Sequence, residues 1–184
     1  MAKLSHLRGT QGKDNQPGLQ QTIFAAPIDW FDKIAGFKTT NNPGDSVTID
    51  GAHTFKVNPD AAVVGGKYGF LKLYSTLDTA QLKLTPTGER DGRGYKASLE
   101  MFNPANTKES AEFMRIIKNF DCLILVKYPD GTIEQVGSEG LPAEIVGEFD
   151  SGKLSGGRRG TTYKAEAYQN GHQFYEGTID LLED

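Results

Sequence analysis

Cysteine is almost missing from this chain: Cys122 is the only one. A lone cysteine makes no internal disulfide, so the fold requires no oxidising compartment. Its place beside the apolar run Leu123-Ile124-Leu125-Val126 marks it as a small buried hydrophobe and not a nucleophile. A basic surplus is missing too. Twenty Lys and Arg stand against 24 Asp and Glu, a formal net charge of −4. That is the wrong balance for a protein whose affinity for a duplex comes from neutralising phosphates. No stretch approaches the ~18 apolar residues that cross a bilayer as a helix. The polar start, Met1 to Gly18 with Lys3, Arg8, Lys13 and Asp14, lacks the apolar core of a signal peptide. The expectation is assembly in the cytoplasm with no membrane partner.

Catalytic patterns are missing as well. The three histidines, His6, His53 and His172, are far apart and show none of the spacings of a zinc site. Gly137-Ser138-Glu139-Gly140 lacks the residue that a nucleophile elbow, with one residue on each side of its serine, places between the first glycine and the serine. In the segment from Gly152 to Gly160, Lys153 precedes the glycines and a strand follows, the reverse of a phosphate-binding loop that opens a helix. No catalytic residue, cofactor or metal site is therefore expected, and the chain reads as a structural part and not an enzyme.

What the chain does have is turns. Twenty-two glycines and an apolar fraction of 37 % in 184 residues point to many short strands and exposed loops. Residues 1–20 read as a flexible arm, and residues 21–184 as a single β-rich domain. Alternating segments flank Asp50-Gly51, Thr85–Gly94, Pro129-Asp130-Gly131 and Asn170-Gly171, and each is read as a hairpin. One helix is expected at about 107–119. Asn106 serves as its N-cap with Glu109 three residues on, and Phe113, Ile116, Ile117 and Phe120 lie on one face. The expected class is mainly β (α+β). It is a β-sandwich or barrel with this one flanking amphipathic helix and a long protruding hairpin whose tip is Glu89, Arg90, Asp91 and Arg93.

A charged hairpin tip suits docking better than chemistry, because catalytic carboxylates need a pocket that separates their pKa values. Subunit contacts are therefore expected at Glu89, Arg90, Asp91 and Arg93 and at Lys153, Arg158 and Arg159 of the second glycine-rich loop. Trp30, the only tryptophan, is expected to anchor the core or pack at a subunit seam. A different reading takes Tyr163, Tyr168, Phe174 and Tyr175 as a carbohydrate- or ligand-binding patch on a small β-sandwich.

The order of short pieces in the C-terminal half is Asp121-Cys122-Leu123-Ile124-Leu125-Val126, Asp130-Gly131, Gln135-Val136-Gly137, Asp150-Ser151-Gly152 and Tyr175-Glu176-Gly177-Thr178-Ile179. Over residues 95–182 this order resembles virion structural proteins of tailed bacteriophages, the tail tube (major tail) proteins above all. The resemblance implies a subunit that forms six-membered rings with copies of itself. The rings stack into a tail tube next to other tail proteins, and genomic DNA passes non-specifically through an acidic lumen during ejection. Another virion role, as a capsid decoration, tail terminator or connector protein, is the alternative within the same class.

Overall fold

The computed structural model describes residues 17–40, 42–61, 65–104 and 106–182, so most of the expected N-terminal arm lies outside the described residues. The strands that follow are β1 (Thr22–Pro27), β2 (Phe31–Lys33), β3 (Thr48–Ile49), β4 (Thr54–Phe55), β5 (Leu71–Tyr74), β6 (Gln81–Thr87) and β7 (Gly94–Asn103). Helix α1 (Lys108–Ile117) then precedes β8 (Asp121–Lys127), β9 (Ile133–Val136), β10 (Ala143–Asp150), β11 (Gly160–Gln169) and β12 (Phe174–Tyr175). The class is the expected one: mainly β, with one α-helix among the described residues.

Strand β8 organises the whole. It pairs with β1 along one side and with β9 and then β10 along the other. Every side chain from Cys122 to Val126 is buried. An unbroken apolar strand of this kind is stable only when both of its faces are covered. One face, with Cys122, Ile124 and Val126, packs on a layer made of β6, β7, β10 and β11. The other, with Leu123 and Leu125, packs on an aromatic cluster of Phe31, Phe55, Phe70 and Tyr175 built from the segments around the two-stranded β2–β4 sheet. Burial also puts the Cys122 thiol up to about 12, so it stays protonated and inert.

Helix α1 closes one side of the first core. Its cap lies one residue later than the spacing suggests. Thr107 Oγ1 accepts the Ser110 N–H at 3.2 Å, and Ser110 Oγ accepts the Thr107 N–H at 3.0 Å, a reciprocal box that neither Asn106 nor Glu109 provides. Phe113, Met114 and Ile117 face the core. Ile116 and Phe120, assigned to the same apolar face, stay 41 % and 37 % exposed. The close fit of helix on sheet depends on Gly147, where a Cβ would come within 2.8 Å of Met114 Cγ and 2.9 Å of Tyr163 Cε1.

Local turn signals hold where both strands of the pair remain neighbours. β6 and β7 pair from Gln81–Glu100 to Thr87–Gly94, and β8 pairs with β9 across the Asp130-Gly131 turn. Two expected hairpins do not form. The strands around Asp50-Gly51 separate: β3 runs parallel to β12, and β4 pairs with β2. Ile49 and Phe55 are both buried in the aromatic cluster, each held there by a different neighbouring strand. The strands around Asn170-Gly171 separate as well, because β11 already has β10 on one side and β7 on the other, which sends β12 to β9 and β3.

The C-terminal segment is strapped to the body beside Gly69. Phe70 N–H donates to Asp180 O at 2.8 Å, and Leu182 N–H donates to Phe70 O at 3.1 Å. A Cβ on Gly69 would collide with the Leu181 backbone. Gly69→Ala is expected to release this strap at a cost of roughly 1–3 kcal/mol for the lost hydrogen bonds. Faster amide exchange at Phe70 and Leu182 checks it, and unchanged protection there counts against it.

Candidate functional site

The surface best placed for function is the outer face of the layer β10-β11-β7-β6. Side chains alternate across it. Ile145, Tyr163, Leu99 and Leu82 lie in the core, so their neighbours in sequence point away from it. The outward set carries five carboxylates, Glu100, Glu144, Glu148, Asp150 and Glu166, against three lysines, Lys83, Lys96 and Lys164, with Arg158 of the β10–β11 loop as a fourth cation over Phe102. Lys96 Nζ meets Glu166 at 2.7 Å, and this contact raises the lysine's pKa. Glu144 and Glu166 stand directly opposite each other across β10 and β11, an arrangement that weakens a pair unless something else requires it.

Among the described residues neither edge of this layer has a strand partner along its full length, although α1 packs on β10 at Gly147. Among the described residues no strand pairs with β6 on the side away from β7, and β10 meets β8 only through Ala143 and Glu144. The remainder of β10, from Ile145 to Asp150, has its outer side free of any described strand. Pro86, which has no N–H, sits on β6, where an edge tolerates it.

The contact residues expected from sequence fall at opposite ends of this layer. Glu89, Arg90, Asp91 and Arg93 form the β6–β7 tip, a tight turn closed by Gly92 N–H to Glu89 O at 3.2 Å with Asp91 at φ 72°. β11 runs alongside this hairpin as far as Tyr95, so the part that projects past the sheet is the tip alone. Lys153, Arg158 and Arg159 are exposed on the β10–β11 loop, about 30 Å away along the ten residues of β11. That loop narrows to a Lys153–Gly156 bridge with Leu154 wholly exposed at its end. Arg158 lies 3.9 Å above the ring of Phe102, which ties the loop to the outer face. Trp30 is apart from both groups. It is half-buried on the far side of the central sheet and stacks on Tyr68 at 4.7 Å.

The aromatic residues of the ligand-binding reading do not share a surface. Tyr163 is buried in one core cluster and Tyr175 in the other, Phe174 stacks on His172, and Tyr168 alone is exposed. No cluster of three or more His, Cys, Asp or Glu able to hold a metal ion occurs among the described residues.

Sequence spacing misses a buried polar network beneath the aromatic cluster. His53 Nδ1 accepts the Ala35 N–H at 3.0 Å, which leaves the proton on Nε2, where it is donated to Gln135 Oε1 at 3.0 Å. Its ring stacks on Tyr175 at 4.6 Å, and burial lowers its pKa to about 4. One residue before Gln135, the buried Glu134 accepts from the Tyr128 hydroxyl at 2.6 Å and meets His172 Nδ1 at 2.7 Å. With both ring nitrogens engaged inside the protein, His53 is a structural element and not a proton carrier for a substrate. The chain matches no family model, no curated protein and no solved structure.

Proposed function

We propose that this chain is a tail tube subunit of a tailed-bacteriophage virion, closing into rings with copies of itself and stacking into the channel that carries DNA. The observation that carries the reading is the four-stranded layer, whose two edges lack a full-length strand partner among the described residues and whose outer face has an acidic surplus. An unpaired edge is a template for another chain, and proteins that stay monomeric blunt it. A head-to-tail contact between two different edges closes into a ring when the rotation fits.

Strand polarity supports the same arrangement. β10, β11, β7 and β6 alternate in direction. The β10 of one copy therefore runs antiparallel to the β6 of the next, and the sheet continues around the ring without a break in pattern. The outer face then lines the channel, where excess carboxylate keeps phosphates from sticking. The two ends of the layer supply ring-to-ring contacts: the mixed-charge Glu89–Arg93 tip at one end and the basic Lys153, Arg158 and Arg159 loop at the other.

Negative-stain imaging of the purified protein over a concentration series tests this. Rings with a central hole, and tubes at higher concentration, are expected. Deleting Glu89–Arg93 is expected to leave the monomer folded and rings present but to shorten or abolish tubes. A wild-type protein that stays monomeric at every concentration overturns the reading. Normal tubes from the deletant overturn the role of the tip.

A further inference from the structure

We propose that Asn170-Gly171 is a self-modifying site, at which the Asn170 side-chain amide is lost through a succinimide and an aspartate or isoaspartate takes its place. The chemistry needs water and nothing else. The backbone nitrogen of Gly171 attacks the side-chain carbonyl carbon of Asn170, its proton passes to water, and the side-chain nitrogen leaves as ammonia. Water then opens the ring at one of its two carbonyls, giving aspartate or isoaspartate. Nucleophile and electrophile are neighbours on one chain, so the first step is unimolecular. It is fast only where the attacking nitrogen is accessible, unshielded and free of a hydrogen bond.

The structure sorts the candidates on this criterion. Asn42, Asn58 and Asn103 each precede a proline, whose nitrogen carries no proton to give up. Asn106 precedes Thr107, whose N–H is held by Ser110 Oγ at 3.0 Å. Asn119 precedes Phe120, whose N–H donates to Ile117 O at 3.0 Å. The Asp-Gly pairs at Asp50, Asp91 and Asp130 offer a carboxylate, which is ionised at neutral pH and a poor electrophile. Two of them have the glycine nitrogen tied as well, Gly92 to Glu89 O and Gly131 to Tyr128 O.

Asn170-Gly171 is the one Asn-Gly pair in the sequence, and it escapes all of these restraints. Asn170 is exposed in the bend that follows β11. Among the described residues neither its side-chain amide nor the Gly171 N–H has a hydrogen-bond partner. Gly171 sits at φ 146° with open space where a Cβ would stand, so nothing shields its nitrogen. The bend is held instead through the Gly171 carbonyl, which accepts from Gln169 Nε2 at 2.7 Å.

The product differs from the original in charge and in chain length. β11 reaches the bend at Gln169, opposite Tyr95, and Tyr95 stands opposite Pro86. The site is therefore at the same end of the layer as the Glu89–Arg93 tip. One carboxylate more takes the formal net charge from −4 to −5. Isoaspartate also adds one atom to the backbone just before His172, which meets Glu134 at 2.7 Å, and Gln173, whose carbonyl accepts the Gln135 N–H at 2.8 Å. The bend is thus a slow, one-way timer built into the chain, and it runs in the monomer whether or not rings form.

Incubating the full-length protein for weeks in mildly alkaline buffer, with peptide mapping by mass spectrometry at intervals, tests this. Residue 170 is expected to show the mass change of an amide becoming an acid, at a rate about tenfold or more above that of Asn106 or Asn119. Labelling by protein isoaspartyl methyltransferase should rise in step with it. Asn170→Gln, which could close only a larger and slower ring, is expected to abolish that labelling. Asn170 intact at the end of the incubation, amide loss as fast at Asn106 or Asn119, or undiminished labelling of Asn170→Gln each overturns the site.

Discussion

Acidifying the solution from pH 7 to pH 4 is expected to remove about 3 kcal/mol of folding stability through a single imidazole, that of His53. In the fold this ring is fully enclosed, and desolvation takes its pKa from 6.5 to about 4. The unfolded chain titrates at the ordinary value. Between the two pKa values the unfolded state holds more protons, so stability is complete above 6.5, falls as the pH drops through that window, and levels off below about 4. Both ring nitrogens are already used, one accepting from Ala35 and one donating to Gln135, so an added proton has to displace the Ala35 bond. Urea unfolding of the wild type and of His53→Gln at several pH values measures the effect, because the two proteins differ only at this side chain. The variant should be less stable at pH 7 and flatter with pH. Parallel pH curves for the two proteins would falsify this role.

Leu125→Ala is expected to cost about 3 kcal/mol or more. Leu125 is wholly buried on β8, the strand that carries one core on each face, and it belongs to the aromatic cluster. Truncation leaves a cavity that Phe31, Phe55 and Phe70 fill poorly, because their rings already pack against one another at centroid distances of 4.6 to 5.7 Å. Val57→Ala, at a side chain 59 % exposed, is the matched control and should change stability by under about 0.5 kcal/mol. Denaturant midpoints at constant slope measure both. A Leu125→Ala midpoint equal to that of the control means that β8 is not the keystone described here.

The candidate site was half legible before the structure. The Glu89–Arg93 tip and the Lys153–Arg159 loop stand out as glycine-flanked charge clusters because composition alone marks an exposed turn. Nothing local shows that they lie at opposite ends of one layer, since that depends on the β7–β11 pairing of residues some sixty apart in sequence. Trp30 was marked by being the only tryptophan, but its partner Tyr68 follows from a packing choice and not from any spacing. His53 and His172 looked isolated for the same reason, because their partners Gln135 and Glu134 are on a strand far along the chain.

Local chemistry in the sequence was enough for the β-rich class, the one helix, the buried Cys122–Val126 strand and the hairpins at Thr85–Gly94 and Asp130-Gly131. Alternation, turn residues and caps act over a few neighbours, and no distant contact competes with them there. Tertiary structure decided the rest. It parted the strands around Asp50-Gly51 and Asn170-Gly171, buried the His53 network and left β6 and β10 with open sides. A strand of two residues has too little pairing energy of its own to choose a neighbour, so burial of Ile49, Phe55 and Tyr175 chooses for it. The unpaired sides of β6 and β10 are likewise set by which distant strands pair among the described residues, and no local spacing marks them.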